Sequence, residues 1–523
     1  MLRKKMGRTK IVTNDGVIKL RKVLKKNILD LFQTIYGVHV SLKELIDKKE
    51  YATVQSLLND CQEAAIQIGT SIENSEGDGL IAVKFLEGYC ESVYQIAVGI
   101  SDEYTGSEIQ SILDEKLIKA ENSVKKDIKV RLEVVFMPYK ASMWDSLESV
   151  WMAARDDENC DAYVIPIPYF DKNPDGSFDE MHYEGESFPD YVPVTHYDDY
   201  DIETRRPDVI YIHNPYDRYN KVTSVDPRFY SSELKKWTDC LVYIPYYVLP
   251  KKVTENFVNT SGVVYADKVI VQGRSYQDDY INILKDYISK DILQNKIIAM
   301  GSPKIDKIVR YVKSDMPVSE EWKKHINGRK VIFLNTNVSL ILNNSERFID
   351  NLYRMFDVFK RHNDEYVVLW REHPLSIGTI KSMRPYLLED YIKAKEYFLN
   401  EKIGFLDNNP EAYDAIKVSD CYFGSGGSLT VVYAVTGKPM LVTDYDYPNK
   451  ISEDNISLEH FMKTLCSRTY YIERNKNTLD LFLDNIEVLE SQKEKRFQNL
   501  SELLENIDGL AGYRIYKYIS QNL

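Results

Sequence analysis

The segment most informative about the fold is FGSGGSLTVVYAVTGKPMLV, residues 423–442. Its apolar start predicts a strand, its glycines a tight turn, and residues 428–436 a helix that leads into another strand. A strand, a glycine-rich turn and an immediate helix are typical of an α/β domain with a parallel sheet. Glycines let the backbone approach a ligand closely, and the N–H groups that begin a helix favour a phosphate. The alternative is a tight turn whose serines only cap the helix.

The same alternation extends along the chain on both sides of this turn. Short apolar runs alternate with helical periodicity over about residues 128–315 and again over 320–523, which predicts two parallel sheets. Residues 1–126 repeat apolar side chains every three or four positions and are predicted to form a helical module. The predicted fold class is α/β, with two doubly wound, Rossmann-like domains that face each other across a cleft and follow the N-terminal helical module.

Composition narrows the functional classes. Of the 523 residues, 44% are apolar, which is too many for a disordered chain. The formal net charge is −13, but residues 1–26 contain ten lysines and arginines and one acid, so this basic head carries +9 and the rest of the chain −22. A body this acidic argues against nucleic acid as a partner, because phosphate backbones are bound by a basic face.

Cysteine and histidine spacing bears on metals and compartment. The six cysteines form no CxxC pair, and no histidines have the spacing of metal ligands, so we predict neither a disulfide framework nor a metal site. No apolar run approaches the length of a membrane span, and the N-terminus lacks the apolar core of a signal peptide. We therefore expect a cytoplasmic protein.

A second candidate motif, WREHP at residues 370–374, ends another predicted strand of the C-terminal region. Ligands of open α/β sheets bind at this edge. Arg371 offers a planar fork for phosphate, and His373 can donate to a phosphate oxygen or carry a proton. We expect this motif and the glycine-rich turn to form one site. A surface arginine and an ordinary loop histidine are the alternative.

Four ordered motifs resemble those of the CDP-glycerol glycerophosphotransferases, the teichoic-acid primases and polymerases. They are GSPKIDKI from residue 301, REHP from residue 371, the segment from SD at 419–420 to KP at 438–439, and DGLAGYRIYKYI at 508–519. The resemblance covers roughly residues 205–520. It implies a GT-B fold, in which the C-terminal domain holds the donor nucleotide and the acceptor approaches from the N-terminal domain.

The resemblance also implies an activity. Members transfer glycerol phosphate, or sometimes ribitol phosphate, from a CDP-activated donor to a hydroxyl and release CMP without a bound metal. CDP-glycerol would be the donor substrate, no further cofactor would be needed, and the acceptor would be a cell-wall or surface glycan or a lipid-linked polymer. The residues implied at the donor are His373, which would also act in catalysis, and Arg371, Asn335, Thr336, Gly424, Ser425, Gly426, Gly427 and Ser428.

The chain departs from the family at the general base. A Trp-His-Gly segment of the N-terminal domain, whose histidine is the family's proposed base, has no counterpart in YIPYYVLPKK at 243–252. His213 and Asp217, which follow the preceding predicted strand, are the candidate replacements, because a base must reach the acceptor hydroxyl. The alternative is that HNPYD is only a turn in which His213 packs.

Two other functions stay open. One is another sugar-nucleotide enzyme of GT-B fold, a glycosyltransferase or an enzyme similar to the UDP-N-acetylglucosamine 2-epimerases. The other is a non-catalytic binding protein of that fold.

The basic head of residues 1–26 could attach the protein to the anionic inner face of the membrane, since each basic residue there contributes about 1 kcal/mol, or it could only aid solubility. The helical module could pair two copies of the chain.

Overall fold

The computed structural model describes residues 18–76, 80–99, 105–173, 175–220, 222–249, 252–315, 317–409, 411–443, 478–501 and 503–523. These residues fold into two compact units. The first contains the described residues up to Val134 with Arg155–Tyr163 and Asp201–Asp208. The second contains those of Val135–Ala154, Val164–Tyr200 and Val209–Leu523. The domain boundaries predicted from the sequence, 1–126, 128–315 and 320–523, stay predictions.

The first unit is a helical bundle with a short parallel strand pair. Its main elements are β1 (Ile18–Arg21), α1 (Lys22–Asp47), α2 (Tyr51–Glu76), α3 (Ile81–Gly99), α4 (Gly106–Asp127) and the first part of β2 (Ile128–Met137). Apolar residues three and four positions apart give each helix one buried face. These faces meet in a core that includes Phe32, Leu58, Leu86 and Leu113. The predicted helical module is confirmed.

A buried histidine interrupts this apolar core. His39 of α1 is fully buried, and its two ring nitrogens lie 2.7 Å from Asp114 Oδ1 and 2.7 Å from the Tyr89 hydroxyl. Burial lowers the pKa of His39, although the neighbouring Asp114 acts in the opposite direction. The ring is therefore held neutral, and its two hydrogen bonds connect α1, α3 and α4.

Part of the basic head belongs to this folded unit. Lys19 is buried and its Nζ lies 3.7 Å from a Glu158 carboxylate oxygen, and Arg21 lies 3.1 Å from a buried glutamate of β2. The Lys25 ammonium donates to a backbone carbonyl at the start of β2. These three charges stabilise β1 and α1. The rest of the basic head that precedes β1, residues 1–17, lies outside the described residues.

The elements that follow α4 alternate along the chain up to residue 313. They are β2 (Ile128–Met137), α5 (Glu148–Arg155), β3 (Cys160–Val164), β4 (Tyr169–Lys172), β5 (Phe178–His182), α6 (Ile202–Arg205), β6 (Val209–Ile212), β7 (Thr223–Val225), α7 (Ser231–Leu234), β8 (Cys240–Tyr243), α8 (Glu255–Val258), α9 (Ser261–Tyr265), β9 (Lys268–Val271), α10 (Arg274–Leu284), α11 (Lys290–Lys296), β10 (Ile297–Ala299) and α12 (Pro303–Lys313).

These strands form one parallel and one antiparallel sheet. In the parallel sheet β6, β8, β9 and β10 follow β2 in that order, and β3 pairs with β2. The N–H of Ile165 donates to Phe136 O on the β3 side, and that of Asp208 donates to Glu133 O on the β6 side. Successive residues of a strand direct their backbone groups to opposite sides, so the carbonyls of Glu133 and Phe136, three residues apart, bond to strands on opposite sides of β2. β3 and β6 therefore flank β2, and the strand order reverses between β2 and β6. The antiparallel sheet has the order β5-β4-β7.

The C-terminal region repeats the parallel pattern. Its elements are α13 (Glu320–Ile326), β11 (Lys330–Thr336), α14 (Val338–Arg361), β12 (Tyr366–Glu372), α15 (Ser376–Met383), α16 (Leu388–Asn400), β13 (Gly404–Leu406), α17 (Tyr413–Val418), β14 (Cys421–Ser425), α18 (Ser428–Ala434), β15 (Met440–Thr443), α19 (Thr478–Asp484), α20 (Ile486–Glu490), α21 (Lys493–Leu500) and α22 (Ala511–Gln521). The strand order is β13-β12-β11-β14-β15, so the reversal lies between β11 and β14.

Both faces of this second sheet are buried. Ile332 and Leu334 of β11 enter one apolar core, whereas Val331 and Phe333 enter the core on the other face. Successive side chains of a strand point to opposite faces, so helices must cover both sides of the sheet. The predicted fold class, α/β with two parallel sheets after a helical region, is confirmed. Within the described residues, no helix has the length and apolar character needed to cross a bilayer.

The buried His39 makes stability depend on pH. Its unfolded pKa is near 6.5 and its folded pKa is lower, so its contribution is complete above pH 6.5 and is lost as the pH falls below that value. The free energy of unfolding of the wild-type chain should fall between pH 7.5 and 5.5. We expect this fall to be smaller in His39→Gln, by up to about 1.4 kcal/mol per pH unit. Denaturant titrations measure this slope, with His325→Gln at an exposed position as the control. An unchanged slope in His39→Gln would contradict the assignment.

Candidate functional site

The candidate site lies at the carboxyl end of β11, where the order of the second sheet reverses. Asn335 of β11 is in register with Arg371 of β12 on one side and with Gly424 of β14 on the other. The WREHP motif and the glycine-rich turn therefore lie on opposite sides of Asn335. In open α/β sheets the crevice at such a reversal is where ligands bind.

Hydrogen bonds connect the loops beyond these strands. The His373 N–H donates to Thr336 O at 3.0 Å, and the Asn337 N–H donates to Ser425 Oγ at 3.2 Å. The structure thus brings together, at one sheet edge, the predicted donor residues. They are Asn335, Thr336, Arg371, His373, Gly424, Ser425, Gly426, Gly427 and Ser428.

The glycine-rich turn is fixed by its own hydrogen bonds. The Ser425 carbonyl accepts from the Tyr422 hydroxyl at 2.5 Å and from Thr430 Oγ1 at 3.2 Å. The same Thr430 oxygen accepts from the Gly427 N–H at 3.0 Å. Gly426 and Ser428 are exposed, and Ser428 begins α18, whose first N–H groups have no partner within the helix. The turn therefore presents donors in a preset arrangement.

His373 is the other exposed donor at this edge. Its Nδ1 accepts from the Leu375 N–H at 3.2 Å, so in the neutral ring the proton lies on Nε2. Partial burial, and then the charge of Arg371, lower the pKa of His373. The imidazole is thus neutral at pH 7, and its Nε2–H can donate to a phosphate oxygen.

Arg371 contacts the loop that follows β13. Its Nη1 donates to Asp407 Oδ2 at 2.6 Å and to Asn409 O at 3.0 Å, and its side chain is only 12% exposed. The guanidinium therefore fixes the loop that follows β13. Nη1 is therefore paired with a carboxylate, and contact of Arg371 with a phosphate stays a prediction.

Asn335 and Thr336 also support the site from within. Asn335 Nδ2 donates to the Tyr422 hydroxyl at 3.0 Å, and Thr336 Oγ1 accepts from Trp370 Nε1 at 3.0 Å. These hydrogen bonds order the strand ends, and contact of either side chain with the donor stays a prediction. Asn337, which contacts the glycine-rich turn, was missed. Its position directly after the strand KVIFLNT is the signal that could have found it.

The segment from SD at 419–420 to KP at 438–439 stabilises the fold. Lys438 Nζ donates to the carbonyls of Ile416 at 2.9 Å and Lys417 at 3.0 Å, at the end of α17, and burial lowers the pKa of Lys438 to about 8. Asp420 Oδ2 accepts from the Val331 N–H at 2.7 Å, at the start of β11. These contacts position β11 and β14, from which the site extends.

The GSPKIDKI and DGLAGYRIYKYI motifs contact each other. Asp306 of the first motif is fully buried, and its carboxylate accepts from the Ala511 N–H at 3.0 Å, the Gly512 N–H at 2.7 Å and Ser149 Oγ at 2.8 Å. Burial raises the pKa of Asp306. The carboxylate caps α22, so these two motifs also serve the fold.

His213, the first candidate base, is enclosed. It is fully buried, Nε2 accepts from the Tyr139 N–H at 3.1 Å, and Nδ1 lies 3.0 Å from Ser146 Oγ, which donates to Met143 O. Burial lowers the pKa of His213 to about 3. Both ring nitrogens are used in holding the chain, so a catalytic role for His213 stays a prediction that this geometry does not favour.

Asp217, the second candidate base, is buried too. Its carboxylate accepts from the Ser231 N–H at 2.9 Å and from Ser231 Oγ at 3.1 Å, at the start of α7. Burial raises the pKa of Asp217 to about 6, which suits a base, and its backbone is left-handed with φ of 47°. Its hydrogen bonds make it a helix cap, and its catalytic role stays a prediction.

Comparison with known proteins gives distant structural likenesses. No family model and no curated protein matches the chain. Similar solved structures include a UDP-N-acetylglucosamine 2-epimerase, with 14% identity over 75% of this chain and 96% of that chain and a TM-score of 0.48. Another is the UDP-GlcNAc 2-epimerase from Neisseria meningitidis bound to UDP-GlcNAc, with 12% identity, coverage of 75% and 100%, and a TM-score of 0.46.

The wall teichoic acid polymerase TagF is also similar, with 16% identity over 84% of this chain and 98% of that chain and a TM-score of 0.43. By their names these neighbours are enzymes.

Gly424 tests the geometry of the edge. Its φ is 146°, and a Cβ atom there would lie 2.1 Å from Asn335 O, whereas a Cβ on Gly427 would have no atom of the described residues within 4 Å. We expect Gly424→Ala to lower the unfolding free energy by about 2–4 kcal/mol through overpacking and backbone strain. The matched control Gly427→Ala should change it by less than about 1 kcal/mol. Denaturant titration measures both, and equal effects would contradict the described packing.

Proposed function

We propose that this chain transfers glycerol phosphate, or a related polyol phosphate, from a CDP-activated donor to a hydroxyl of a glycan or teichoic-acid-type acceptor and releases CMP. The observation that carries the proposal is the meeting of the glycine-rich turn and His373 at the order reversal of the second sheet. The ordered motifs that resemble the glycerophosphotransferases support the choice of donor. His373 is the proposed catalytic donor of a hydrogen bond.

The chemistry suits these residues. When the acceptor oxygen attacks the phosphorus that bears glycerol, negative charge collects on the departing CMP phosphate. The neutral His373 Nε2–H and the N–H groups of Gly426 and Ser428 are donors on a preset backbone, and such donors stabilise developing charge without reorganisation. The Ser428 hydroxyl adds one more donor. Arg371, Asn335 and Thr336 would act by holding these groups in place.

His373→Ala tests the proposed donor site. We expect CMP release from CDP-glycerol to fall by about 10²–10³-fold, because one charge-stabilising donor is lost from the transition state. The exposed His325, in the same region but stacked on Phe405, provides the control variant His325→Ala, which should keep wild-type turnover. Released nucleotide is measured by chromatography. Full activity in His373→Ala would contradict the site.

The same assay separates the alternatives. Release of UDP from UDP-sugars with none of CMP from CDP-glycerol would favour another sugar-nucleotide enzyme. Tight nucleotide binding without any turnover would favour a non-catalytic binding protein.

Light scattering tests the further prediction that the helical module pairs two copies of the chain.

Removal of the first part of the basic head tests whether this segment binds an anionic membrane. Residues 1–17 contain five of its lysines and arginines and one acid, and they precede the structural charges Lys19 and Arg21. We expect removal of residues 1–17 to weaken binding to phosphatidylserine vesicles by at least about tenfold, since each basic residue contributes about 1 kcal/mol. Sedimentation measures binding, with neutral vesicles as the control. Equal binding of the truncated and full chains to anionic vesicles would contradict a tether.

A further inference from the structure

The first parallel sheet has its own order reversal, between β2 and β6. Tyr139 follows β2 at this edge and His213 follows β6, and their rings lie 5.6 Å apart. Two further aromatic rings, those of Tyr169 and His182, continue from this buried pair toward the surface. Tyr139 meets Tyr169 at 5.4 Å, and Tyr169 stacks on His182 at 5.1 Å with an interplanar angle of 28°. The rings therefore connect the carboxyl edge of this sheet, where open α/β sheets bind ligands, to a second imidazole that is more accessible than His213.

His182 forms a dyad with Asp171. In the antiparallel sheet Tyr169 of β4 is opposite His182 of β5, and Asp171 lies two residues further on the same face. His182 Nε2 is 2.9 Å from Asp171 Oδ2, and the side chains are 31% and 48% exposed. A carboxylate on Nε2 places the proton there and leaves the Nδ1 lone pair as the acceptor. This is the arrangement of an oriented general base.

The dyad is anchored to the sheet edge. Glu184 accepts from the Tyr169 hydroxyl at 2.7 Å and from the Ala141 N–H at 2.8 Å, at the first residue of a 3₁₀ turn, Ala141–Ser146. Near the other end of that turn, Asp145 accepts from the hydroxyl of Tyr413 at 2.9 Å.

Tyr413 begins α17, directly after the loop that Arg371 holds. A short series of contacts, through the 3₁₀ turn and this loop, therefore connects the His182–Asp171 dyad to the candidate donor site. His182 and Asp171 both lie within residues 128–315, the region from which the resemblance implies that the acceptor approaches.

We propose that His182 is the catalytic base for the acceptor hydroxyl, with Asp171 as its positioning residue; this rests on the proposed function. The acceptor proton moves to His182 Nδ1 as the acceptor oxygen forms a bond to the phosphorus that bears glycerol. The bond from that phosphorus to the CMP oxygen breaks, and its electron pair leaves with CMP. The base thus replaces the missing histidine of the Trp-His-Gly segment, from a different element of the chain.

The test compares His182→Gln and Asp171→Asn with His196→Gln, a control at a partly exposed histidine that packs on Tyr183 of the same surface. Acceptor-dependent CMP release gives kcat and KM, and calorimetry gives the affinity for CDP-glycerol. We expect His182→Gln to lower kcat by about 10²–10⁴-fold and to leave donor affinity within about twofold. His196→Gln should behave as wild type.

Asp171→Asn and Asp171→Glu test the positioning role through a split between kcat and KM. The Asp171 carboxylate lies 2.9 Å from His182 Nε2 and fixes the tautomer of the ring. We expect Asp171→Asn to lower kcat by at least about tenfold with the KM for CDP-glycerol unchanged, because the amide no longer holds the proton on Nε2. Asp171→Glu, which keeps a carboxylate, should recover part of kcat. A kcat that does not recover in a folded Asp171→Glu protein would overturn the positioning role.

A second variant separates catalysis from folding. In His182→Ala, added imidazole should restore part of the activity, which a merely structural loss would not allow. Wild-type kcat in His182→Gln, or no rescue of a folded His182→Ala protein, overturns the assignment of the base alone. No CMP release by the wild-type chain overturns the proposed function itself.

Discussion

The close approach of the Asn335 carbonyl and Gly424 is the contact on which the candidate donor site depends. With a Cβ atom at Gly424 only 2.1 Å from that oxygen, β14 can lie beside β11 only where the side chain is absent. This pairing places the glycine-rich turn next to the loops of β11 and β12. The donors of the site are therefore positioned by backbone packing, and the side chains of Asn335, Thr336 and Arg371 add hydrogen bonds to neighbouring residues.

Both parallel sheets follow the same physical rule. Each has strands buried on both faces, so polar side chains and unpaired backbone groups collect at the carboxyl edge where the strand order reverses. In the second sheet this edge holds His373 and the serine-glycine turn. In the first it holds the enclosed His213 and, further out, the His182–Asp171 dyad. The buried Asp306 carboxylate and the Asp145–Tyr413 hydrogen bond join the two α/β regions within one compact unit.

Much of the fold could be predicted from the sequence, because helical periodicity and short apolar runs report directly which faces are buried. The helical region and both parallel sheets were predicted in this way. The roles of individual polar residues could not be, since they depend on partners far along the chain. Arg371 is held by Asp407 and the backbone of Asn409, and His213 by a turn some 70 residues earlier. Asp171 and His182 meet only across an antiparallel pair whose register a single sequence does not specify.

We propose that the reversal edge of the second sheet binds the diphosphate of a CDP-activated donor. A crystal structure of the chain with CDP-glycerol would test this proposal. We expect diphosphate oxygens within about 2.7–3.2 Å of His373 Nε2 and of N–H groups in the 426–428 turn. A nucleotide bound elsewhere, with His373 Nε2 and this turn out of contact with it, would exclude this edge as the donor site.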